Sequence, residues 1–446
     1  MPVSEILSGV DAAWLHMDRP ENTADVVALM TFADRVPFST VRRLFEERLV
    51  PHARFTERIL HDGPLALARW EPDPGFSLAR HLFRKELPGR LSRSLDRFAG
   101  EVATERLDPD RPLWRAYVVH GADGGSAIVV KLHHCLADGF ALVGLLLSLA
   151  DEVIAVEPAP AHRTPTYRDL RVTGGLPGAL WRALGDPTQA LSLASSGLAL
   201  GRSLAHMAAL PPDPPSLLTR PLCGKRRMAW SRGLELARLR ALARGLGATV
   251  NDLVLAALSG ALREHLAARG EVVGRPGLRA LVPVNLRTQL PAHLDGAMGN
   301  CFGLVFLELP VHLATPGERL HAVRERVAAL KQSPDAVTTY AVLSAIGHLP
   351  GLVEDLITTF FSSKASLVVT NVPGPRQPLH LAGHEIRRIQ FCVPHPARLG
   401  LGVSILSYAG EVRIGARADV AVMPDPRDLL GRLPAELEAL RLSPSA

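Results

Sequence analysis

The sequence predicts an α/β protein built from two domains. Three observations support this. The chain has 446 residues, more than a single hydrophobic core usually serves. Both halves alternate short β-branched apolar stretches, typical of buried strands, with longer amphipathic stretches, typical of helices. Prolines cluster at 157–165 and 211–221, as in extended linkers. We therefore expect an N-terminal domain over 1–156, a connection over 157–221 and a C-terminal domain over 222–446.

In the N-terminal half, the pattern predicts a sheet with helices against it. The expected strands are 26–32, 114–119 and 126–132, and the expected helices are 39–49, 91–106 and 140–150. The strands 114–119 and 126–132 read as neighbours joined by the glycine-rich loop 121–125. Trp114, at the start of the first of these strands, is interpreted as a core residue.

The connection over 157–221 has an unusual composition. Residues 166–210 are rich in Leu, Ala, Ser and Gly, and 190–201 carry no charge. One interpretation is a helical connection packed on the body of the protein. The other is a surface helix that faces lipid, because a weakly charged apolar helix can lie in a membrane interface.

The C-terminal half repeats the mixture of strands and helices. Thr249 is expected to begin a helix that continues to residue 266, and Asp252 stands three positions later, as in a capping box. The other predicted helices are 235–246 and 428–441, the latter interrupted near Pro434. The predicted strands are 277–284, 304–309, 365–369, 401–408 and 411–416, with a rigid turn over 371–375.

Composition excludes several classes of protein. With 47% hydrophobic and 21% charged residues, the chain is not a disordered one. The net charge of +6 is diffuse and has no aromatic-interleaved basic patch, so no nucleic-acid partner is expected. The four cysteines are far apart and form no C-x-x-C pair, which favours free thiols in a reducing compartment. Since no export signal or membrane-spanning helix is predicted, we expect a cytoplasmic protein.

Chemistry is concentrated between the predicted strand 126–132 and the predicted helix 140–150. The intervening pattern is H-H-x-x-x-D-G, formed by His133, His134, Asp138 and Gly139. An imidazole at the end of a rigid strand, beside a glycine turn, is well placed to act as a general base. Asp138 is also a plausible cap of the following helix.

Three other interpretations of this stretch are open. Two histidines beside a core strand can simply be hydrogen-bonded core residues. A zinc site is disfavoured, because the spacing matches none of the common zinc motifs. Cys135 is disfavoured as a nucleophile, because its apolar neighbours would raise the pKa of its thiol.

The H-H-x-x-x-D-G motif resembles that of the acyltransferase superfamily of chloramphenicol acetyltransferase and peptide-synthetase condensation domains. The whole chain is similar to one branch, the bacterial wax ester synthase/diacylglycerol acyltransferase family. The similar segments are Leu7-Ser8 with Asp11 to Trp14, Pro112-Leu113-Trp114, Asn251-Asp252, Pro283 to Arg287, Gly299-Asn300 and Asn371 to Pro375. Trp14 stands where Phe is commoner, and Asn285 and Thr370 stand where serine is usual.

The resemblance implies two acetyltransferase-like α/β sandwiches that meet at a central cleft crossed by a tunnel. It implies transfer of a long acyl chain from acyl-CoA, a co-substrate, to diacylglycerol or a fatty alcohol, with no bound cofactor and no metal. Because both lipids partition into membranes or oil, peripheral attachment to the inner membrane or to lipid droplets is expected. The alternatives are a condensation-type enzyme that uses carrier-bound acyl groups and a catalytically silent lipid-binding protein.

The resemblance also assigns residues. His134 would be the base, with His133 and Asp138 beside it, and Arg287 would pair with Asp138. Substrate-binding residues would be Gly139, Asn251, Asp252, Asn371, Pro373 and Gly374. Asn251 is a candidate donor to the developing oxyanion.

Overall fold

The computed structural model describes residues 5–61, 67–152, 201–271, 274, 277–287, 300–347, 359–360, 362–395 and 397–442. The uncharged stretch 190–201 therefore lies outside the described residues, apart from Gly201, and so does most of the predicted connection.

Helices and strands alternate through both halves. The helices are α1 (Gly9–His16), α2 (Phe38–Arg48), α3 (Leu91–Thr104), α4 (Gly139–Ser148), α5 (Leu236–Gly245), α6 (Val250–Ala267), α7 (Pro316–Gln332), α8 (Asp335–Ile346), α9 (Arg427–Leu430) and α10 (Leu433–Leu442). The strands are β1 (Glu5–Ile6), β2 (Asp25–Phe32), β3 (Glu57–Leu60), β4 (Arg69–Pro72), β5 (Leu82–Leu87), β6 (Trp114–Gly121), β7 (Ser126–His133), β8 (Arg226–Trp230), β9 (Leu234–Glu235), β10 (Leu278–Asn285), β11 (Phe302–Leu309), β12 (Leu367–Pro373), β13 (His380–Leu381), β14 (His384–Cys392), β15 (Leu401–Tyr408) and β16 (Glu411–Asp419).

The N-terminal half forms a six-stranded sheet in the order β13-β14-β2-β7-β6-β5. All its pairs are antiparallel except β5 and β6. Every residue of β7 is buried, because both faces of this central strand are covered. The predicted hairpin of β6 and β7 is confirmed, with Trp114 opposite Leu132. A separate small sheet has the order β1-β4-β3.

The C-terminal half forms a second sheet in the order β11-β10-β12-β15-β16-β8, with β9 attached to β16. The central strand β12 is parallel to both β10 and β15, whereas the outer pairs are antiparallel. Helix α6 packs on this sheet and contributes much of the core, including Leu253, Leu258 and Leu262. Thr249 and Asp252 form the predicted capping box at its start.

The C-terminal half contributes two strands to the N-terminal sheet. Strands β13 and β14 come from the C-terminal half, yet they belong to the N-terminal sheet, where β14 pairs with β2. A division at residue 222 therefore does not separate the two sheets. The pairing of β14 with β2 is favourable because the backbone of β2 would otherwise be unpaired on that side.

Helices α1 and α8 approach each other unusually closely. A Cβ atom on Gly9 would lie 1.9 Å from the carbonyl oxygen of Ser344, and one on Gly347 would lie 1.7 Å from the carbonyl oxygen of Gly9. Both positions therefore require glycine. This contact fixes an N-terminal helix against a helix of the C-terminal half.

Some local expectations were wrong. The segment 371–375 is not wholly a turn, because β12 continues through Pro373. Helices α7 and α8 and the strand β14 were not predicted. Among the described residues no single helix could span a bilayer, although α5 and α6 together pass that test of length and hydropathy across a bend of 91°.

Candidate active site

The H-H-x-x-x-D-G segment leaves the N-terminal sheet where β7 ends at His133. The backbone N–H of His134 donates to the carbonyl oxygen of Ala24 at 2.8 Å, so the chain turns while still held by the neighbouring strand. A turn from His133 to Leu136 follows, and α4 begins at Gly139. The motif thus spans a strand end, a tight turn and a helix start.

The imidazole of His134 is enclosed by aromatic rings. Trp14 stacks on it with ring centroids 4.0 Å apart and an interplanar angle of 20°, and Phe302 meets it edge-on at 5.5 Å. Burial lowers the pKa of His134 to about 4, although the nearby Asp138 carboxylate acts in the opposite direction. At neutral pH the imidazole is therefore uncharged and can accept a proton.

His133 faces away from this aromatic enclosure. Its Nδ1 accepts the backbone N–H of Cys135 at 3.2 Å, and its Nε2 lies 3.9 Å from Oδ1 of Asp18. Its backbone pairs with Asp25 of β2. These contacts stabilise the turn. His133 does not line the cavity described below.

Asp138 is bound from the C-terminal half. Its Oδ2 lies 2.7 Å from Nη1 of Arg287 and accepts the backbone N–H of Cys301 at 3.0 Å. The ion pair expected from the resemblance is therefore present. Since Asp138 is almost fully buried, these contacts compensate the cost of keeping its charge away from water.

A cavity opens beside His134, between the two sheets. Alternation along the strands explains its walls, because residues two apart on a strand share a face. On β10 and β12 one face lines the cavity and the other, with Ala280 and Leu367, enters the C-terminal core. The lining residues are Trp14, His134, Asp138, Gly139, Leu281, Pro283, Asn285, Phe302, Leu304, Val368, Thr370, Val372, Val393 and Pro394.

The cavity is therefore mainly apolar with a few polar groups near His134, an arrangement typical of a binding site for an apolar ligand with one reactive polar end. Trp14, Asn285 and Thr370, the three positions that depart from the usual residues of the resembled family, all line it.

Other residues expected at the site lie elsewhere. Asn251 does not line the cavity, and its Oδ1 accepts from Nδ2 of Asn371 at 2.9 Å. Asp252 caps α6 through the backbone N–H of Thr249 at 2.9 Å. The N–H of Gly374 donates to the carbonyl oxygen of Ser407 at 2.9 Å. The roles of these residues, and that of Pro373, in substrate binding stay predictions.

Trp114 is a core residue, as expected. Its side chain is 1% exposed, and its indole N–H donates to the carbonyl oxygen of Phe55 at 2.9 Å. Burial raises the pKa of the Cys135 thiol well above its ordinary value, which disfavours a thiolate nucleophile. In the part of the chain that the structure describes, no group of three or more His, Cys, Asp or Glu side chains is arranged to hold a metal ion.

Comparison with known proteins decides the family. The family model described as wax ester synthase/diacylglycerol acyltransferase catalytic domain matches residues 7–254, and that of the WS/DGAT C-terminal domain matches 298–441. The chain belongs to the wax ester synthase/diacylglycerol acyltransferase family. It is accordingly an enzyme, an O-acyltransferase.

Relatives and solved structures agree with the family. A Mycobacterium tuberculosis protein named as a probable diacylglycerol O-acyltransferase is 31% identical in an alignment of 397 positions, which covers 86% of this chain and 83% of that protein. The structure of a wax ester synthase/diacylglycerol acyltransferase from Marinobacter aquaeolei has a TM-score of 0.69 at 23% identity, covering 98% of this chain and 99% of that one.

A condensation domain of the calcium-dependent antibiotic synthetase has a TM-score of 0.64 at 17% identity, covering 100% of this chain and 98% of that one. These two structures confirm the predicted α/β class and its likeness to condensation domains.

Several residues that surround the family motif show no sign of a function in the sequence. Leu281, Leu304, Val368 and Pro394 are ordinary apolar strand or loop residues in the sequence, and only the assembly of two sheets brings them to His134. Asp11, Trp14 and Asn300 stand out in the sequence only as members of the segments that resemble the family. Their position in those segments was the one available signal that they matter.

Proposed function

We propose that this enzyme transfers a long acyl group from acyl-CoA to the hydroxyl group of diacylglycerol or a fatty alcohol. The observation that carries the proposal is His134, an uncharged buried imidazole at the wall of an apolar cavity. The names of the family and of its relatives support the acceptor class.

The reaction needs one proton to move twice. His134 accepts the proton of the acceptor hydroxyl while its oxygen attacks the thioester carbonyl carbon. The C–S bond then breaks, and the proton passes from the imidazolium to the departing thiolate, giving an ester and free CoA. Because burial makes the imidazolium of His134 more acidic than an ordinary imidazolium, it gives up its proton readily to the thiolate in the second transfer. The Asp138 carboxylate offsets part of the cost of the transient positive charge.

The apolar walls support a lipid acceptor. A long hydrocarbon chain gains free energy, roughly 0.8 kcal/mol for each CH₂, when it leaves water for apolar surroundings. Trp14, Asn285 and Thr370 line the same cavity. These three side chains would therefore determine whether diacylglycerol or a fatty alcohol is the preferred acceptor.

Access to such acceptors requires contact with a lipid surface. The net charge of +6 would favour an anionic surface, and attachment would be peripheral and reversible. The candidate segment for this contact is 190–201, as in the sequence prediction.

The decisive experiment is a panel of acceptors with one long-chain acyl-CoA, followed by measurement of free thiol and chromatography of the lipid products. Thiol should be released only when an alcohol or diacylglycerol is present, and an equimolar ester should appear. Chelators should have no effect, whereas inhibition by a chelator that zinc reverses would contradict a metal-free mechanism. An acyl group supplied on a carrier protein serves as the comparison donor, and a strong preference for it would favour the condensation-type alternative.

A further inference from the structure

Two side chains behind His134, those of Asn300 and Asp11, connect its loop to both halves of the protein. Asn300 immediately precedes Cys301, whose N–H binds Asp138. Nδ2 of Asn300 donates to the carbonyl oxygen of His134 at 2.8 Å and to Oδ1 of Asp11 at 2.7 Å. The backbone N–H of Asn300 also donates to the same Asp11 oxygen at 3.1 Å. The two consecutive residues Asn300 and Cys301 therefore hold both ends of the motif.

These contacts fix which way the Asn300 amide faces. Its two neighbours, the Asp11 carboxylate and the His134 carbonyl, are both acceptors, so the NH₂ group must face them. Oδ1 of Asn300 and Nδ1 of His134 are both buried, and neither makes a hydrogen bond within the described residues. Burial has the largest effect on the pKa of His134 and lowers it, whereas the Asn300 side chain and the backbone of His134 itself act in the opposite direction.

Asp11 and Trp14 come from the same helix. They stand three residues apart on α1, so they share a face, and both point toward the His134 loop. Trp14 fixes the plane of the imidazole by stacking, whereas Asp11 fixes the amide of Asn300. Helix α1 is itself held by the close contacts of Gly9 and Gly347.

We infer that Asn300 and Asp11 are positioning residues for the reaction: Asn300, held by Asp11, binds the carbonyl oxygen of His134 and so fixes the place of the imidazole at the cavity wall. This inference rests on the proposed role of His134 as the base. It gives a function to the Asp11 and Asn300 segments that the H-H-x-x-x-D-G motif does not explain. It also means that the C-terminal half supplies a group on which the N-terminal base depends.

The test is a double-mutant cycle. Asn300→Ala should lower kcat on the order of 100-fold, because a misplaced base loses the near-attack geometry, while KM for acyl-CoA stays nearly constant. In a His134→Ala background the same change should cost less than about threefold, since Asn300 acts only through the imidazole. Asp11→Asn keeps an acceptor for both Asn300 donors and should retain most of kcat, whereas Asp11→Ala should not.

Asn22→Ala is the matched control. Asn22 is also buried and also joins the two halves, because its Nδ2 donates to the carbonyl oxygens of His395 and Ala397, but it does not line the cavity. Its substitution should lower Tm, and any loss of rate should be the same with and without His134. If Asn300→Ala does not fold, Asp11→Ala goes through the same cycle.

The outcomes separate the two proposals. Wild-type rates in folded His134→Ala would remove the proposed base itself. If His134→Ala is impaired but Asn300→Ala keeps the wild-type kcat, or costs as much without His134 as with it, only the positioning role is overturned.

Discussion

The Asp138 carboxylate of the N-terminal half lies 2.7 Å from the guanidinium of Arg287, which follows the end of β10 in the C-terminal half. Asp138→Asn should therefore lower both Tm and activity, with a loss of stability on the order of 3 kcal/mol, because the buried partner loses its counter-charge. Thermal unfolding and thiol release measured on the same preparation check this. The double variant Asp138→Arg with Arg287→Asp should recover part of the stability lost by either single reversal. Full stability with no activity in Asp138→Asn would instead indicate a direct chemical role.

His134→Ala should fold normally and lose roughly two to four orders of magnitude in kcat, as expected for removal of a general base. His133→Ala is the neighbouring control and should be milder, because its contacts are with Cys135 and Asp18 outside the cavity. Circular dichroism establishes folding, and acyl transfer to one acceptor gives both rates. Equal losses in the two variants would contradict the assignment of a single base.

The pH dependence of kcat/KM should have its acid limb near pH 4 rather than near the ordinary histidine pKa of 6.5, because His134 must be unprotonated to accept a proton. The same shift affects stability. The unfolded state binds the extra proton first, so the free energy of unfolding contributed by His134 falls as pH drops from about 6.5 to about 4. Buffered rate measurements over this range locate the limb, and a limb at 6.5 would show that the imidazole is solvated.

Asp11 should show the opposite dependence. Burial raises its pKa to about 6, so the folded state holds the proton more tightly and the contribution of Asp11 to stability is lost as pH rises from about 4 to about 6. Asp11→Asn should therefore raise Tm at pH 8 and lose this advantage at pH 4. Parallel thermal scans of the two proteins measure the difference, and a lower Tm for the variant at both pH values would contradict the sign.

Two glycines predicted to bind substrate should respond differently to alanine. A Cβ on Gly139 would lie 3.6 Å from Val372, an ordinary contact at the cavity wall, so Gly139→Ala should fold and alter KM for the acceptor. A Cβ on Gly374 would lie 2.5 Å from the carbonyl oxygen of Ser407, so Gly374→Ala should lower Tm instead. Tm and acceptor KM for both variants decide the point, and a stable Gly374→Ala with raised KM would restore its substrate-binding role.

The uncharged segment 190–201 gives a prediction that rests on sequence alone. Replacing Leu193 and Leu200 with Glu should reduce co-sedimentation with phosphatidylglycerol vesicles while activity on a short, water-soluble acceptor is kept. Leu442→Glu, which alters an exposed leucine far along the chain, is the control and should bind as the wild type does. If the double variant unfolds or still binds vesicles, the segment is ordinary core.

The strands and helices with strong local patterns were predictable, and the assembly was not. The hairpin of β6 and β7 and the Thr249–Asp252 cap follow from local pattern and spacing. The strand His384–Cys392 was not predicted because its formation depends on pairing with β2, which lies more than 350 residues earlier in the sequence. In the site, His134 and Asp138 were visible as a motif. The Asn300 contact with His134 was not visible, because an asparagine before a strand carries no local mark of what it will bind.

The position of β13 and β14 in the N-terminal sheet has a consequence for translation of the protein. During translation, Val26 to Phe32 emerges early, but its outer neighbour β14 is translated only after some 350 further residues, so that flank of the nascent sheet stays open for most of elongation. An open apolar strand edge invites pairing with other nascent chains. Ribosome-bound intermediates of this enzyme should therefore depend on holding chaperones until nearly the whole polypeptide has emerged, and expression of residues 1–222 alone should give insoluble material.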